Sequence, residues 1–436
     1  MAILSPFRGV LYNPEAVRRV QDVVAPPYDV ISTEGQDTLY ARHPENVIRL
    51  ELGRDQPGDD ASCNRYTRAA QHLKDWLKSG TLQRDAEPAI YPYTIEYRHP
   101  TAAPSSSSKV MQGVLSLMEL EEFGAGTVLP HEVTRAAAKT DRLNLLQACR
   151  ANFSPIFSLF SDPEGSVFLP IEQEISSREP RIDFEDDDGF RQRLWAITHP
   201  RLIQEVVAAL KARPLFIADG HHRYETALRY RDSQRQQAGT GHSAQRHPWD
   251  SVLMLCASLE DPGLSVLPTH RVLNVPLPAI DVIREKLHET FAIEEFPFSA
   301  GDEAEGRRRL LQALRDHGRS GQAFGLAMRD LPRYVLLVLR REGAGDKHRS
   351  PRERLDVSVL HTHILSCLSI PTLTEDTVVY TKDDHEALNL VLSGSAEAAL
   401  LLNPTKVTEV SAVASAGERM PHKSTYFFPK PLTGLV

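Results

Sequence analysis

Asp219-Gly220-His221-His222-Arg223, with Glu225 two residues further on, places an acid, two imidazoles and a guanidinium around a single glycine. The apolar run "PLFIA" precedes it and a helical pattern follows, so these residues stand at a strand-to-helix turn. The first amides of a helix have no intrahelical partner, which makes such a turn a ready anion site. Gly220 lets the backbone approach a phosphate closely, and Arg223 offers a fork of donors for its oxygens. Glu225 falls one turn beyond His221 on the same helical face. Asp219 could hold a magnesium ion or accept the proton of an attacking hydroxyl. The competing reading is a capped turn with solvated histidines. Five polar residues directly after a buried strand favour chemistry.

Four other blocks carry residues of the same types. In "APPYDVIS" two prolines stiffen the loop and could fix Asp29, beside Tyr28, at a site; a rigid turn would need the same residues. His131, Glu132, Thr134, Lys139, Asp141 and Arg142 suit phosphate or metal, and equally a solvated loop running into a helix. Thr269, His270 and Arg271 put a second His-Arg pair at a strand end, either a phosphate clamp or a hydrogen-bonded core histidine. His422, Lys423, Ser424 and Thr425 precede an aromatic run, where a lysine and two hydroxyls suit an anion or simply begin a strand. One apparent metal motif fails. His361 and His363 sit in a segment of helical period, and at about 100° per residue side chains two apart diverge.

These residues need elements to hold them. "RLIQEVVAALKAR" reads as a helix feeding the strand before the box. "CNRYTRAAQHLKDWLKSG" places Tyr66, Ala69, Leu73 and Trp76 on one stripe, with Gly80 as its stop. "TDRLNLLQACRAN" predicts a shorter helix capped by Thr140. "AIYPYTIEYR" and "VMQGVLSLMEL" read as paired strands joined by the loop "HPTAAPSSSSK". "SVLMLCASL" and "LSVLPTHRVL", joined by "EDPG", predict one hairpin, and "FGLAMRD" with "YVLLVLRRE" a second. In "KDDHEALNLVL", Asp383 or Asp384 caps a helix. Mixed sheets, hairpins and flanking helices indicate an α+β protein rather than a doubly wound nucleotide fold. The polar stretch 232–248 divides an N-terminal α+β domain, residues 1–231 ending in the box, from a C-terminal α+β domain, residues 249–436.

Composition narrows the partners. Fifty Lys and Arg against 58 Asp and Glu give a formal charge of −8, which argues against nucleic acid held by phosphate neutralisation. The four cysteines are far apart and form no Cys-x-x-Cys pair, so neither a zinc site nor a disulfide framework is written. No signal peptide or membrane span is legible, and a cytoplasmic location is expected.

"IADGHHRYETAL" resembles the signature box of the ParB/sulfiredoxin-like superfamily, a strand leading through a glycine turn into a helix. Sulfiredoxins carry a reactive cysteine where His221 stands here, and ParB-type partition proteins usually a glutamate. The free-serine kinases carry Asp-Gly-His-His-Arg, as this chain does. More broadly, "PFRGVLYNPE", "VVAPPYDVIS", "HPENVIRLEL", "RANFSPIF", "FIADGHHRYETAL", "LPTHRVL" and "MPHKSTYFFPK" resemble consecutive blocks of the microbial family known as domain of unknown function 1015. The resemblance implies phosphoryl transfer to a small hydroxy metabolite, foremost serine, with ATP or ADP and Mg2+. No Walker sequence is present, so a nucleotide site would be of the ParB-like kind. A phosphoserine phosphatase and a nucleotide-binding regulatory switch are the alternatives. In the kinase reading, His131, His270 and Lys423 join the box from elsewhere in the fold.

Overall fold

A computed structural model describes residues 3–100, 107–124, 126–132, 134, 136–211, 213–239, 246–299, 301–340, 349–370, 373–374 and 376–436. It is an α+β protein with mixed sheets. The chain forms two compact units, one of residues 1–130, 134–265 and 429–436, the other of residues 131–133 and 266–428.

The first unit contains strands β1 (Leu4–Ser5), β2 (Val10–Tyr12), β3 (Leu82–Arg84), β4 (Tyr91–Tyr97), β5 (Lys109–Glu119), β6 (Val128–Leu129), β7 (Ile156–Phe160), β8 (Ile182–Glu185), β9 (Arg191–Leu194), β10 (Leu215–Asp219) and β11 (Ser251–Ser258). Its helices are α1 (Thr33–Arg42), α2 (Ile48–Glu51), α3 (Arg65–Ser79), α4 (Ala136–Cys149), α5 (Phe168–Ile175), α6 (Pro200–Lys211) and α7 (His221–Ala238). The main sheet runs β6-β10-β7-β11-β5-β4-β9-β8, with β1 added against β5. Strands β7, β10 and β11 are almost wholly apolar because they lie in the middle of this sheet, where Ile156, Ile217 and Met254 share one core. Helix α3 starts where Asn64 accepts from the amides of Tyr66 and Thr67, and stops at Gly80 in the left-handed region at φ 81°.

Two local expectations for this unit fail. Thr140 lies inside α4, which begins at Ala136, and its hydroxyl donates back to the Ala136 carbonyl at 3.2 Å instead of capping. The "EDPG" hairpin does not form, because both edges of β11 are already taken, by β5 and by β7. The stretch 232–248 begins within α7, which continues to Ala238, and residues 240–245 lie outside the described residues.

The second unit has a six-stranded sheet built from β13 (His270–Leu273), β14 (Phe291–Pro297), β15 (Ala323–Met328), β16 (Arg333–Leu339), β17 (Val378–Thr381) and β18 (Ala398–Leu402), in the order β14-β16-β15-β18-β13-β17. Strand β12 (Ser265–Leu267) pairs separately with β19 (Tyr426–Phe428). Strands β15 and β16 form the antiparallel hairpin read from the sequence. The helices are α8 (Ile280–Leu287), α9 (Glu303–Gly318), α10 (Asp356–Val359), which passes into a π-helical turn at Leu360–Leu365, α11 (Asp384–Leu392) and α12 (Val407–Ser415). Asp383 caps α11 by accepting from the Glu386 amide at 3.0 Å. No helix among the described residues is long and apolar enough to cross a membrane.

Candidate functional site

The box sits where its sequence places it. Strand β10 ends at Asp219, Gly220 turns at φ 94°, and α7 begins at His221. Opposite β7 the register slips between Ile217 and Asp219, a bulge that re-aims the last residue of the strand. Asp219 therefore leaves the ladder as an inward carboxylate, only 18% exposed.

Two cations hold it. Arg223 donates from Nη2 to Asp219 Oδ2 at 2.7 Å, and Lys430 Nζ donates to Oδ1. Burial alone would raise the carboxyl pKa, but Lys430 and then Arg223 outweigh it and hold Asp219 far below the usual carboxylate range. It is thus an ionised anchor, and a poor proton acceptor near neutrality. Arg223 also donates to the Pro155 carbonyl at 2.6 Å, while its Nε is buried without a hydrogen-bond partner among the described residues. Its guanidinium folds back over the glycine: a β-carbon at Gly220 would meet three guanidinium atoms at 3.0–3.2 Å. One carboxylate thus stands between two cations at the N-terminal end of α7.

Tyr28 lies next to this cluster. Burial pushes its phenol up to about 12, with Arg223 and Arg142 working the other way, so the hydroxyl is neutral. Arg142 stacks on the Tyr28 ring with Cζ 4.1 Å from its centre and pairs with the buried Glu51 at 3.1 Å. A cavity of about 50 Å³ touches Glu51, Arg142, Ser154, Arg223 and Thr226, room for one or two waters. Asp29 is exposed, and its carboxylate makes no hydrogen bond among the described residues. Glu225 instead accepts from Thr134 Oγ1 and Lys139 Nζ, both at 2.8 Å. His221 is 3% exposed, so it is packed rather than solvated.

A second cluster lies in the other unit. Arg271 is fully buried on β13 with no carboxylate partner among the described residues; it donates to the carbonyls of Thr269 and Lys423, the latter at 3.0 Å. Its Nε, Thr269 Oγ1 and His270 Nε2 are all buried without hydrogen bonds among the described residues. Burial lowers Arg271 to about 10, where it remains charged, and lowers His270 to about 4, where the imidazole is neutral. His270 Nδ1 accepts from the Leu402 amide at 3.2 Å. Lys423 holds a left-handed φ of 56°, rare for a side chain of its kind and of a class that gathers at working sites. The Ser424 hydroxyl is spent on the Pro421 carbonyl at 2.6 Å. Glu132 pairs with His422 at 3.1 Å, and His131 with the Thr425 hydroxyl at 3.1 Å.

The structure thus joins Asp219, Gly220 and Arg223 to Tyr28 in one unit, and Thr269, His270 and Arg271 to Lys423 in the other. Sequence reasoning missed Lys430, Glu51 and the bulge. Lys430 closes the quoted block "MPHKSTYFFPK" but nothing local marks it. Magnesium fits Asp219 poorly, since both carboxylate oxygens are engaged by cations and the described residues hold no grouping of three metal-ligating side chains.

A family model described as "Protein of unknown function (DUF1015)" matches residues 4–358. No protein with a curated description matches the chain. Solved structures that match it include a free serine kinase variant in complex with ADP, at 14% identity over 76% of this chain and 90% of that one, TM-score 0.35. SbnI with a C-terminal truncation, from Staphylococcus aureus, matches at 11% identity over 73% and 85%, TM-score 0.35. A conserved hypothetical protein from Pyrococcus furiosus matches at 13% over 70% and 88%, TM-score 0.32.

Proposed function

The chain belongs to the DUF1015 family, matched over residues 4–358, and we propose that it transfers a phosphoryl group from ATP or ADP to a small hydroxy metabolite, foremost free serine. The observation that carries this reading is the clamped Asp219: an ionised, mostly buried carboxylate that fixes Arg223 and Lys430 beside the glycine turn and the α7 amides. Phosphoryl transfer asks mainly for positioning and for fixed positive charge around the migrating group. Arg223 and Lys430 supply that charge, Gly220 and the first amides of α7 cradle an oxygen, and Asp219 keeps the cations from collapsing elsewhere.

The acceptor hydroxyl must lose a proton. Of the five carboxylates singled out by sequence, Asp219 is held ionised by two cations, Glu225 is tied to Thr134 and Lys139, Glu132 is paired with His422, and Asp141 is paired with Arg65 and Arg142. Asp29 is exposed and adjoins Tyr28, which lies beside Arg223, so Asp29 is the general base in this reading. Arg271, His270 and Lys423 form a phosphate- or carboxylate-binding element of the second unit, on the strength of a buried guanidinium with no acid beside it. Magnesium is taken to arrive on the nucleotide phosphates, and no step here is assigned to it.

Phosphorus NMR of the full chain tests the proposal, with serine plus ATP or ADP in one tube and phosphoserine alone in another. Phosphoserine appearing only with nucleotide supports the kinase, and Asp29→Asn should then slow it by ~100-fold or more. Phosphate released from phosphoserine alone makes the protein a phosphatase. Nucleotide binding without turnover in either tube refutes serine phosphorylation and favours a regulatory switch.

A further inference from the structure

The first unit holds a second pocket whose chemistry differs from that of the box. It encloses about 390 Å³, within the range of roughly 300–1,000 Å³ typical of small-molecule sites. Its walls are apolar: Tyr12, Val47, Leu50, Leu82, Phe153 and Leu253 are all buried lining residues. Leu77 on α3, at its edge, remains 39% exposed.

Three arginines border this apolar space, Arg8, Arg84 and Arg150, and the lining contains no aspartate or glutamate side chain. Among the described residues none of the three forms an ion pair; Arg8 has only a hydrogen bond from Nε to the Asp85 carbonyl, at 2.7 Å. All three are exposed, so they bring positive charge to the solvent-facing border of the apolar pocket.

The backbone of Arg150 adds an independent observation. It follows the last residue of α4 with φ 53°, and its amide closes the helix on the Leu146 carbonyl at 2.8 Å. This left-handed helix-ending position favours glycine, because a β-carbon is strained there.

We infer that this pocket binds an apolar monocarboxylate, a medium-chain or aryl-alkyl acid, with the hydrocarbon against Leu50, Leu82 and Phe153 and the carboxylate among Arg8, Arg84 and Arg150. A neutral apolar ligand would make no use of the three bordering guanidinium groups, and a polyanion such as a nucleoside triphosphate would force charge against an apolar wall. A monoanion with one apolar arm satisfies both halves. The site is separate from the proposed phosphotransfer chemistry and stands whether or not that chemistry is right.

Titration calorimetry of the full chain with octanoate, octan-1-ol and acetate tests the inference. Octanoate should bind with a one-to-one stoichiometry, at least fivefold more tightly than octanol, and acetate should not register. Arg150→Gly is the decisive variant, because glycine suits the left-handed position and so removes the guanidinium without loosening the end of α4. It should weaken octanoate at least fivefold and leave octanol unchanged. Leu73→Trp, at another wall position, should fill the pocket and abolish both. Equal affinity for octanoate and octanol, an Arg150→Gly protein that binds octanoate like the wild type, or no binding by the wild type would each overturn the assignment.

Discussion

Replacing Lys430 with methionine strips Asp219 of one of its two cations while keeping an unbranched apolar stem. The carboxylate is 18% exposed and the lysine side chain 11%, so this pair is close to the buried limit. Removing one partner of a buried ion pair costs about 3–5 kcal/mol, and because Arg223 still holds Oδ2 the low end, about 3 kcal/mol, is expected. Trp76, Trp195 and Trp249 are the only tryptophans and all belong to the first unit, so their emission during urea unfolding reports on that unit. Asp219→Asn should also destabilise, by leaving two cations without their acceptor. The double variant should lose less than the two singles combined, by about 1.5–3 kcal/mol. Additivity to within about 0.5 kcal/mol would refute the clamp. The pH dependence has a definite sign. Asp219 is depressed on folding, so its contribution is complete above about pH 5 and is lost as the pH falls below the unfolded carboxylate value near 4. The coupling between the two residues should shrink over the same acid range.

Gly220→Ala puts a β-carbon at φ 94° against the Arg223 guanidinium, and should cost about 1–2 kcal/mol of first-unit stability, read by the same tryptophan emission. Arg271→Met should leave the thermal midpoint unchanged or raise it, since a buried guanidinium without an acid contributes little net stability, while weakening inorganic phosphate or phosphoserine binding in calorimetry. Asp356 is pushed up to about 7, first by burial and then by Glu409. Between about pH 4 and 7 the folded chain keeps a proton that the unfolded chain has shed, so second-unit stability falls as the pH rises through that window. Asp356→Asn should flatten the slope, as measured by amide exchange in β15.

Local signals survived the passage from sequence to structure wherever one element settled the matter. Asn64 and Gly80 bound α3, Asp383 starts α11, and the β10–Gly220–α7 turn forms where the apolar run ends. The "EDPG" hairpin failed because turn chemistry says nothing about which strand edges are free, and β5 and β7 had taken both sides of β11. The box was legible as an acid beside an arginine. That the arginine folds back over its own glycine was not, because it depends on the Pro155 carbonyl and the bulge opposite β7. Lys430 was invisible for a simpler reason: periodicity and spacing describe neighbours, and its partner is 211 residues away.

That separation has a consequence during synthesis. When a ribosome has just made Asp219, the lysine that completes its charge balance is still 211 codons from being read. Until Lys430 is added, Arg223 is the one member of this cation pair that the chain can offer Asp219, and loss of a neighbouring cation moves a carboxyl pKa upward. The residues that finish this unit, Pro429 onward, appear only after Phe428, the last residue of the second unit. A chain that stops short of Lys430 therefore carries an unfinished charge cluster at the β10–Gly220–α7 turn.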